Sequence, residues 1–281
     1  MWQWIAAAAL AAAGGGLAQM MSDVSSPLND YNYSEDRAGR TRVFARSEAD
    51  FAKARIFFSE KKAGKWALPQ PIAFSDARWS DSDPWLTPDG KTLYFVSTRP
   101  TASRPAKTDL DLWRARRTAG GGWGMPEHLG DVLNGPGPEL GPELHDGRLY
   151  FNSVRKGGKG GLDIYVAGAL PGGGFGAPEP LQGPFNTAAS ESDFTIGAAG
   201  RIALFWRSEG PRGILHYSRR TAGGWSEPRP LPETANIGPF NFTPSLSANG
   251  RTLTFASTRP RAGQAEGMAD IYVVKPANIP N

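Results

Sequence analysis

Apolar and polar positions follow one pattern along this chain, and the pattern recurs five times. The clearest copies read PDGKTLYFVSTR around Gly90, HDGRLYFNSVR around Gly147 and ANGRTLTFASTR around Gly250. AAGRIALFWRSE around Gly200 and RAGRTRVFARSE around Gly39 are weaker copies. The glycines lie 50 to 57 residues apart, a period that marks an array of equal supersecondary units, none able to bury its apolar face alone. Each unit predicts four short strands. The first is polar at its start and apolar beyond, as in DSDPWLTP (81–88) and ESDFTIG (191–197). A two-residue hairpin follows at Asp89-Gly90, Asp146-Gly147 or Asn249-Gly250, residue types that tolerate left-handed backbone. The second strand (TLYFVS, RLYFNS, IALFWRS, TLTFAS) is apolar at successive positions, as expected when both faces are covered. The third is DLWRA, DIYVA or DIYVV, with RIFFS and ILHYS in units one and four. The fourth follows a turn and an aromatic residue, as in GKWALPQPI and GWGMPEHL; its prolines suit an edge, where a missing N–H breaks no ladder.

These units predict an all-β, five-bladed β-propeller of four-stranded antiparallel blades. Unit five ends at DIYVVKP without a fourth strand, so the N-terminal part of the chain is expected to close the ring. SSPLND (25–30) matches PEHLGD (126–131), which places Pro27 and Leu28 as the outermost strand beside residues 270–274.

The stretches PWLTPDGKTLYFVSTR, DLDLW, GGWGMPEHLG and GGLDIYVAGALPGGGFGAPEPLQGPFNTAASES resemble the WD40-like PD40 propeller repeat. That repeat occurs in TolB-like periplasmic proteins and in OmpA-linked envelope proteins. The resemblance spans roughly residues 25–275 and implies a mostly non-catalytic envelope propeller with varied partners. TolB itself has one more blade and an additional N-terminal domain, so its own partners do not carry over.

Composition narrows the picture further. With 40% hydrophobic and 11% aromatic residues the chain is too apolar for disorder, and its 35 glycines fit a turn-rich fold. The net charge of +4 is mild. No run of Lys and Arg interleaved with aromatics points to nucleic acid, and VRKGGKGG (154–161) reads as a solvated hairpin tip. The absence of cysteine excludes disulfides, zinc–thiolate sites and a lipobox anchor. Residues 1–18, MWQWIAAAALAAAGGGLA, read as a secretory signal peptide cut before Gln19, with a membrane anchor as the other reading. The expected organisation is this leader, a propeller over residues 19–275 and a tail over 276–281, giving a periplasmic or secreted monomer without a cofactor.

Candidate chemistry sits at the polar start of the first strand. Asp81, Asp83, Glu139, Glu191, Asp193 and Asn241 occupy nearly equivalent places, with Asn29 the looser match in unit one. They are expected to ring one mouth of the channel and hold an envelope protein or a small ligand; the competing reading is that they cap turns. A glycosidase would need two carboxylates roughly 5–10 Å apart. Here, however, the carboxylates recur with the repeat, as structural positions do. Arg99, Arg155 and Arg259 co-occur with Asp111, Asp163 and Asp270; ion pairs Arg99–Asp111, Arg155–Asp163 and Arg259–Asp270 are therefore expected, which frees Arg46 and Arg207 to meet a ligand. His128, His145 and His216 fall at different repeat positions and predict no metal site, with His216 in a packing role. Trp66, Trp123 and Trp225 mark blade contacts, whereas Trp85 and Trp206 are less regular and are candidates to face a ligand.

Overall fold

The computed structural model describes residues 17–197, 199–247 and 252–274; most of the leader, the Asn249-Gly250 turn and the tail lie outside them. Five antiparallel sheets follow one another around an axis. Blade 1 is built from Asn29–Glu35, Thr41–Ser47 and Arg55–Lys62, with an outer strand in two pieces, Lys65–Trp66 and Gln70–Pro71. Blade 2 comprises Asp81–Leu86, Thr92–Ser97, Asp111–Arg116 and Glu127–His128. Blade 3 comprises Glu139–His145, Arg148–Ser153, Asp163–Gly168 and Glu179–Pro180. Blade 4 comprises Glu191–Gly197, Ile202–Glu209, Arg212–Thr221 and the outer pieces Gly224–Trp225 and Arg229–Pro230. Blade 5 takes Asn241–Leu246, Leu253–Ser257 and Asp270–Val274 from one end of the chain and Gln19–Met20 from the other. In every blade the first strand lies innermost.

The apolar faces meet at the seams between blades. Leu93, Phe95 and Trp113 of blade 2 pack on Val43 and Ile56 of blade 1, and Leu149, Phe151 and Tyr165 pack on Tyr94, Val96 and Leu112 at the next seam. Ile164 and Phe185 meet Phe194 and Phe205, and Leu204 and Leu215 meet Leu253 and Phe255. The seam between blades 5 and 1 is thinner, with Ala45, Ala256 and Ala269 around Tyr31 and Phe242, and a separate group of Val24, Tyr33, Phe44 and Ile271.

The N-terminal part of the chain closes the ring, but with a different segment from the expected one. Gln19 pairs with Val273 and Met20 with Tyr272. Residues 25–30 run instead from the outer strand into blade 1: the Asp30 N–H donates to the Ala269 carbonyl, and the Ala269 N–H donates to Asn29 Oδ1. PLND thus corresponds to the VLNG that follows the outer strand of blade 2. There Asn134 likewise receives a backbone N–H, that of Leu112. The hairpins also divide. Asp146 and Gly147 both lie at positive φ between the paired His145 and Arg148, a two-residue turn. At Asp89-Gly90 only the glycine does, inside a longer turn closed by Thr87 and Thr92.

Every inner strand carries a two-residue bulge at one level. The pairs 32–33, 83–84, 141–142, 193–194 and 243–244 each interrupt the register with the second strand. The first residue of each pair is left-handed: Asn32 (φ 49°), Asp83 (49°), Gly141 (54°), Asp193 (56°) and Thr243 (48°). Opposite each bulge stands a buried phenylalanine: Phe44, Phe95, Phe151, Phe205 or Phe255. The bulges bend the inner strands around the axis and place one residue per blade in the channel throat.

Candidate functional site

The eight residues singled out in the sequence separate into two groups. Asp81, Glu139, Glu191, Asn241, Arg46 and Arg207 belong to a set of buried staples at the start of the inner strands. Asp30 pairs with Arg46 (2.7 Å), Asp81 with Arg99 (2.6 Å), Glu139 with Arg155 (2.8 Å) and Glu191 with Arg207 (2.7 Å). The four carboxylates are at most 1% exposed. Each arginine also donates to a main-chain carbonyl of the segment that leads into its blade: Val24, Phe74, Leu133 or Phe185. The staple ties the inner strand to the connector before it. Blade 5 makes the same tie without charge, since Asn241 bonds Ser257 Oγ and both main-chain groups of Gly238.

The expected arginine–aspartate pairs therefore do not form as read. Arg99 turns back over Phe74 and Phe95 to reach the inner strand. Asp111 is met by Arg104 and His128, Asp270 by Arg261, and Asp163 by the main-chain N–H groups of Lys159 and Gly160. Arg46 and Arg207 are not freed. They reach the same carboxylate position from a place directly opposite on the second strand, where Asp30 faces Arg46 and Glu191 faces Arg207. The equivalent residue in blade 1 is thus Asp30; Asn29 lies one position earlier.

Asp83 and Asp193 belong to the throat. They are bulge residues, and their carboxylates bind the next blade. Asp83 Oδ2 accepts the Gly141 N–H (2.9 Å), Asp193 Oδ2 accepts the Thr243 N–H (3.1 Å), and Thr243 Oγ1 accepts the Asn32 N–H (3.2 Å). Asp83 Oδ1 takes the Ser82 hydroxyl. A third carboxylate, Glu143, stands one step beyond the bulge. Its Oε1 accepts both the Thr195 hydroxyl and the Ile196 N–H at 3.0 Å. The irregular tryptophans stand beside these acids, Trp85 by Glu143 and Trp206 by Asp193, where their ring N–H groups act weakly against the rise in each acid's pKa. Burial pushes Glu143 up to about 7. Burial, and secondarily the neighbouring Asp83 charge, raises Asp193 to about 7, and burial raises Asp83 as well. The free space among these groups is only about 40 Å³.

Glu143 was not singled out in the sequence. DPW, GPE and TPS recur at the bulges, and proline inside an inner strand is itself a bulge signal. Aligning the copies on Pro84, Pro142 and Pro244 places Glu143 where other blades carry Trp85 and Ser245.

Beyond the throat the channel widens at the hairpin end of the inner strands, opposite to the expected mouth, into a cavity of about 650 Å³. Its wall is mixed: Tyr33, Trp66 and Trp85 are aromatic, and Leu144, Ile196 and Leu246 are aliphatic. Glu143 lies at its floor, and Glu35, Asp36, Arg37 and His145 at its rim. A side groove of about 360 Å³ between blades 1 and 2 shares Asp36 with this cavity and is lined by Arg40, Lys61, Lys62, Lys91 and Arg117 together with Glu60 and Asp89. The histidines do not converge: His128 bonds Asp111, and His216 stacks on Phe205. Among the described residues no group of His, Asp and Glu is arranged to hold a metal, and no helix is long and apolar enough to cross a membrane.

No protein-family model and no curated protein matches the chain. Solved structures do match its fold. TolB from Acinetobacter baumannii aligns over 90% of this chain at 13% identity with a TM-score of 0.52, and the chain spans 56% of that protein's length. A putative TolB from Agrobacterium tumefaciens aligns over 85% of this chain and 73% of its own, at 13% identity and a TM-score of 0.53. An alpha-L-arabinofuranosidase from Lactobacillus brevis aligns over 91% of this chain and 92% of its own, at 12% identity and a TM-score of 0.56. The fold is a TolB-like propeller. It is shared with a glycosidase, so the architecture alone does not separate binding from hydrolysis.

Proposed function

We propose that this chain is an exported, non-catalytic propeller of the PD40 type that seats an envelope protein or a small ligand in the wide end of its channel. One observation carries the reading. The cavity large enough for a ligand lies beyond the throat, while the throat carboxylates are committed to the neighbouring blades. Hydrolysis of a glycoside needs a sugar ring between an acid and a second carboxylate. Asp83 and Asp193 border only the throat, whose 40 Å³ or so does not admit a ring, and of the three only Glu143 also reaches the cavity. Recurring carboxylates that bind main-chain N–H groups are what a bent inner strand requires. The apolar leader of residues 1–18 supports export, and N-terminal sequencing of the secreted protein is expected to begin at Gln19.

The test uses the full chain and a variant with a filled cavity. Ser245 lines both throat and cavity and is partly exposed, so Ser245→Trp plugs the wide end. Capture from an envelope extract by the wild type, lost in the folded variant, supports the reading. Release of nitrophenol from aryl glycosides that Glu143→Gln abolishes would replace it with the glycosidase.

A further inference from the structure

The turns at the wide end carry a strong charge excess. The inner hairpins there contribute Arg37, Arg40, Lys91, Arg148 and Arg201 against Glu35, Asp36, Asp89 and Asp146. The outer hairpins, at the same end, add Lys61, Lys62 and Lys65 on blade 1, Arg116 and Arg117 on blade 2, and Arg219 and Arg220 on blade 4, against Glu60 alone. That is twelve cations against five anions. The described residues hold 29 cations and 27 anions, since Arg251 and Lys275 lie outside them, so the described remainder holds seventeen against twenty-two. Among the described residues charge is polar along the axis, with a net +7 gathered around the open end and a net −5 over the rest. Ten of the twelve cations are exposed, all but Arg117 and Arg219.

Four of the five acids at this end are engaged, Asp89 by the Thr87 hydroxyl and the Lys91 N–H, while Asp146 is exposed beside His145. Glu35 accepts the Tyr33 hydroxyl (2.6 Å), Asp36 caps the Arg40 N–H (2.8 Å), and Glu60 pairs with Arg117 (2.8 Å). Glu143 is buried at the floor. The side groove, with its run of cations, leads outward from the cavity between blades 1 and 2. Inside, the wall is mixed, with Leu144, Ile196 and Leu246 and the rings of Tyr33, Trp66 and Trp85 set among the hydroxyls of Ser34, Thr195, Ser245 and Thr254. A long-range positive field around an apolar seat steers and holds a chain that presents carboxylates outside and an apolar side chain within.

Resting on the binding reading above, we propose that the ligand is an extended acidic peptide segment of a partner protein. One apolar side chain enters the cavity, and the acidic residues beside it run along the groove between blades 1 and 2. The aliphatic patch of Leu86, Leu144, Ile196 and Leu246 gives a peptide's apolar side chain a contact that the hydroxyl-covered rings of an anionic glycan would not use. The concave seat favours a peptide over a flat lipid surface.

The probe is a fluorescein-labelled peptide of alternating glutamate and leucine, with a lysine-for-glutamate counterpart, polygalacturonate and phosphatidylglycerol vesicles as competitors. Anisotropy with the full chain is expected to show binding of the acidic peptide only, weakening steeply as salt rises. Lys61→Glu with Lys91→Glu is expected to lower affinity at least tenfold, and Lys53→Glu, an exposed change at the opposite end, to leave it unchanged. Ser245→Trp is expected to abolish binding. Equal binding of both peptides, lost in Ser245→Trp, keeps the seat and overturns the acidic partner. Charge-dependent binding that Ser245→Trp leaves intact overturns the seat and with it the binding reading. Displacement by polygalacturonate or by vesicles at lower charge concentration than the peptide overturns the peptide in favour of a glycan or a membrane.

Discussion

Glu143 and Asp193 are held where they titrate near neutrality, each pushed up to about 7. In the unfolded chain both ionise near their ordinary values, so between about pH 4 and about pH 7 the folded protein binds more protons than the unfolded one. Stability from these groups is therefore present at low pH and lost as pH rises through about 7. Thermal unfolding followed from about pH 5 to about pH 8 is expected to show a falling melting temperature. Glu143→Gln, which keeps an acceptor for Thr195 and Ile196, is expected to flatten the slope and to raise stability above pH 7, by on the order of 1–3 kcal/mol. The staples respond differently. Arg99→Met leaves Asp81 buried and unpaired and is expected to cost about 3–5 kcal/mol. Asp81→Asn combined with Arg99→Met, which imitates the uncharged start of blade 5, is expected to cost less; urea denaturation of the two variants decides. The repeat made the staple carboxylates visible in the sequence, but their role was not legible there. The partner arginine occupies either of two sequence positions, opposite the acid or beyond the end of the second strand, and only the path of the side chain across the sheet shows that both reach one place.

At the scale of the strand, the inner-strand bulge governs the channel. Four of its five left-handed residues carry side chains, a conformation that costs of order 1–3 kcal/mol each. The costliest is Thr243, which is β-branched. The strain is offset at Asp83, Asp193 and Thr243 by the bonds they accept from the next blade, whereas Asn32 only donates its N–H back to Thr243 and its buried Oδ1 has no partner. Gly141 is the exception in needing no side chain. A Cβ there would lie 2.6 Å from Asn152 Nδ2 and 3.0 Å from Asp193 Oδ1. Gly141→Ala is thus expected to destabilise the protein by about 2 kcal/mol or more and to disturb the Asp193 carboxylate, visible as a changed pH dependence of unfolding. Blade number, the order of the three inner strands and the places of the described turns were legible, because alternation and Asx-Gly pairs report local geometry directly, but the two-residue turn held at Asp146-Gly147 and not at Asp89-Gly90. The bulges were legible only in part. Their prolines stood in the sequence, but the extra residue that re-aims Asp83 and Asp193 into the throat emerges only when the strand is paired against its neighbour.

For the whole molecule, the ring depends on its thinnest seam. Blades 5 and 1 share alanines where other seams share leucine and phenylalanine. Closure adds the short strand Gln19–Met20, the Met21 N–H bonded to the Ile271 carbonyl, and Arg261 reaching the Ser26 carbonyl. Deleting residues 19–21 from the mature chain uncovers the edge of Asp270–Val274 and is expected to give an aggregating protein, seen as high-mass species in gel filtration. Five-fold closure was readable from the incomplete last repeat. The closing segment was not, because a two-residue strand carries too little pattern to be told from the connector that follows it. Its geometry has a mechanical consequence. Gln19 faces Val273 and Met20 faces Tyr272 in antiparallel order, so a force drawing apart the chain on either side of this pair peels the hydrogen bonds in sequence instead of shearing them together. Under tension blade 5 gives way first and at low load. A propeller anchored through one flank and tugged through the other would open like a clasp while its four remaining blades stayed folded.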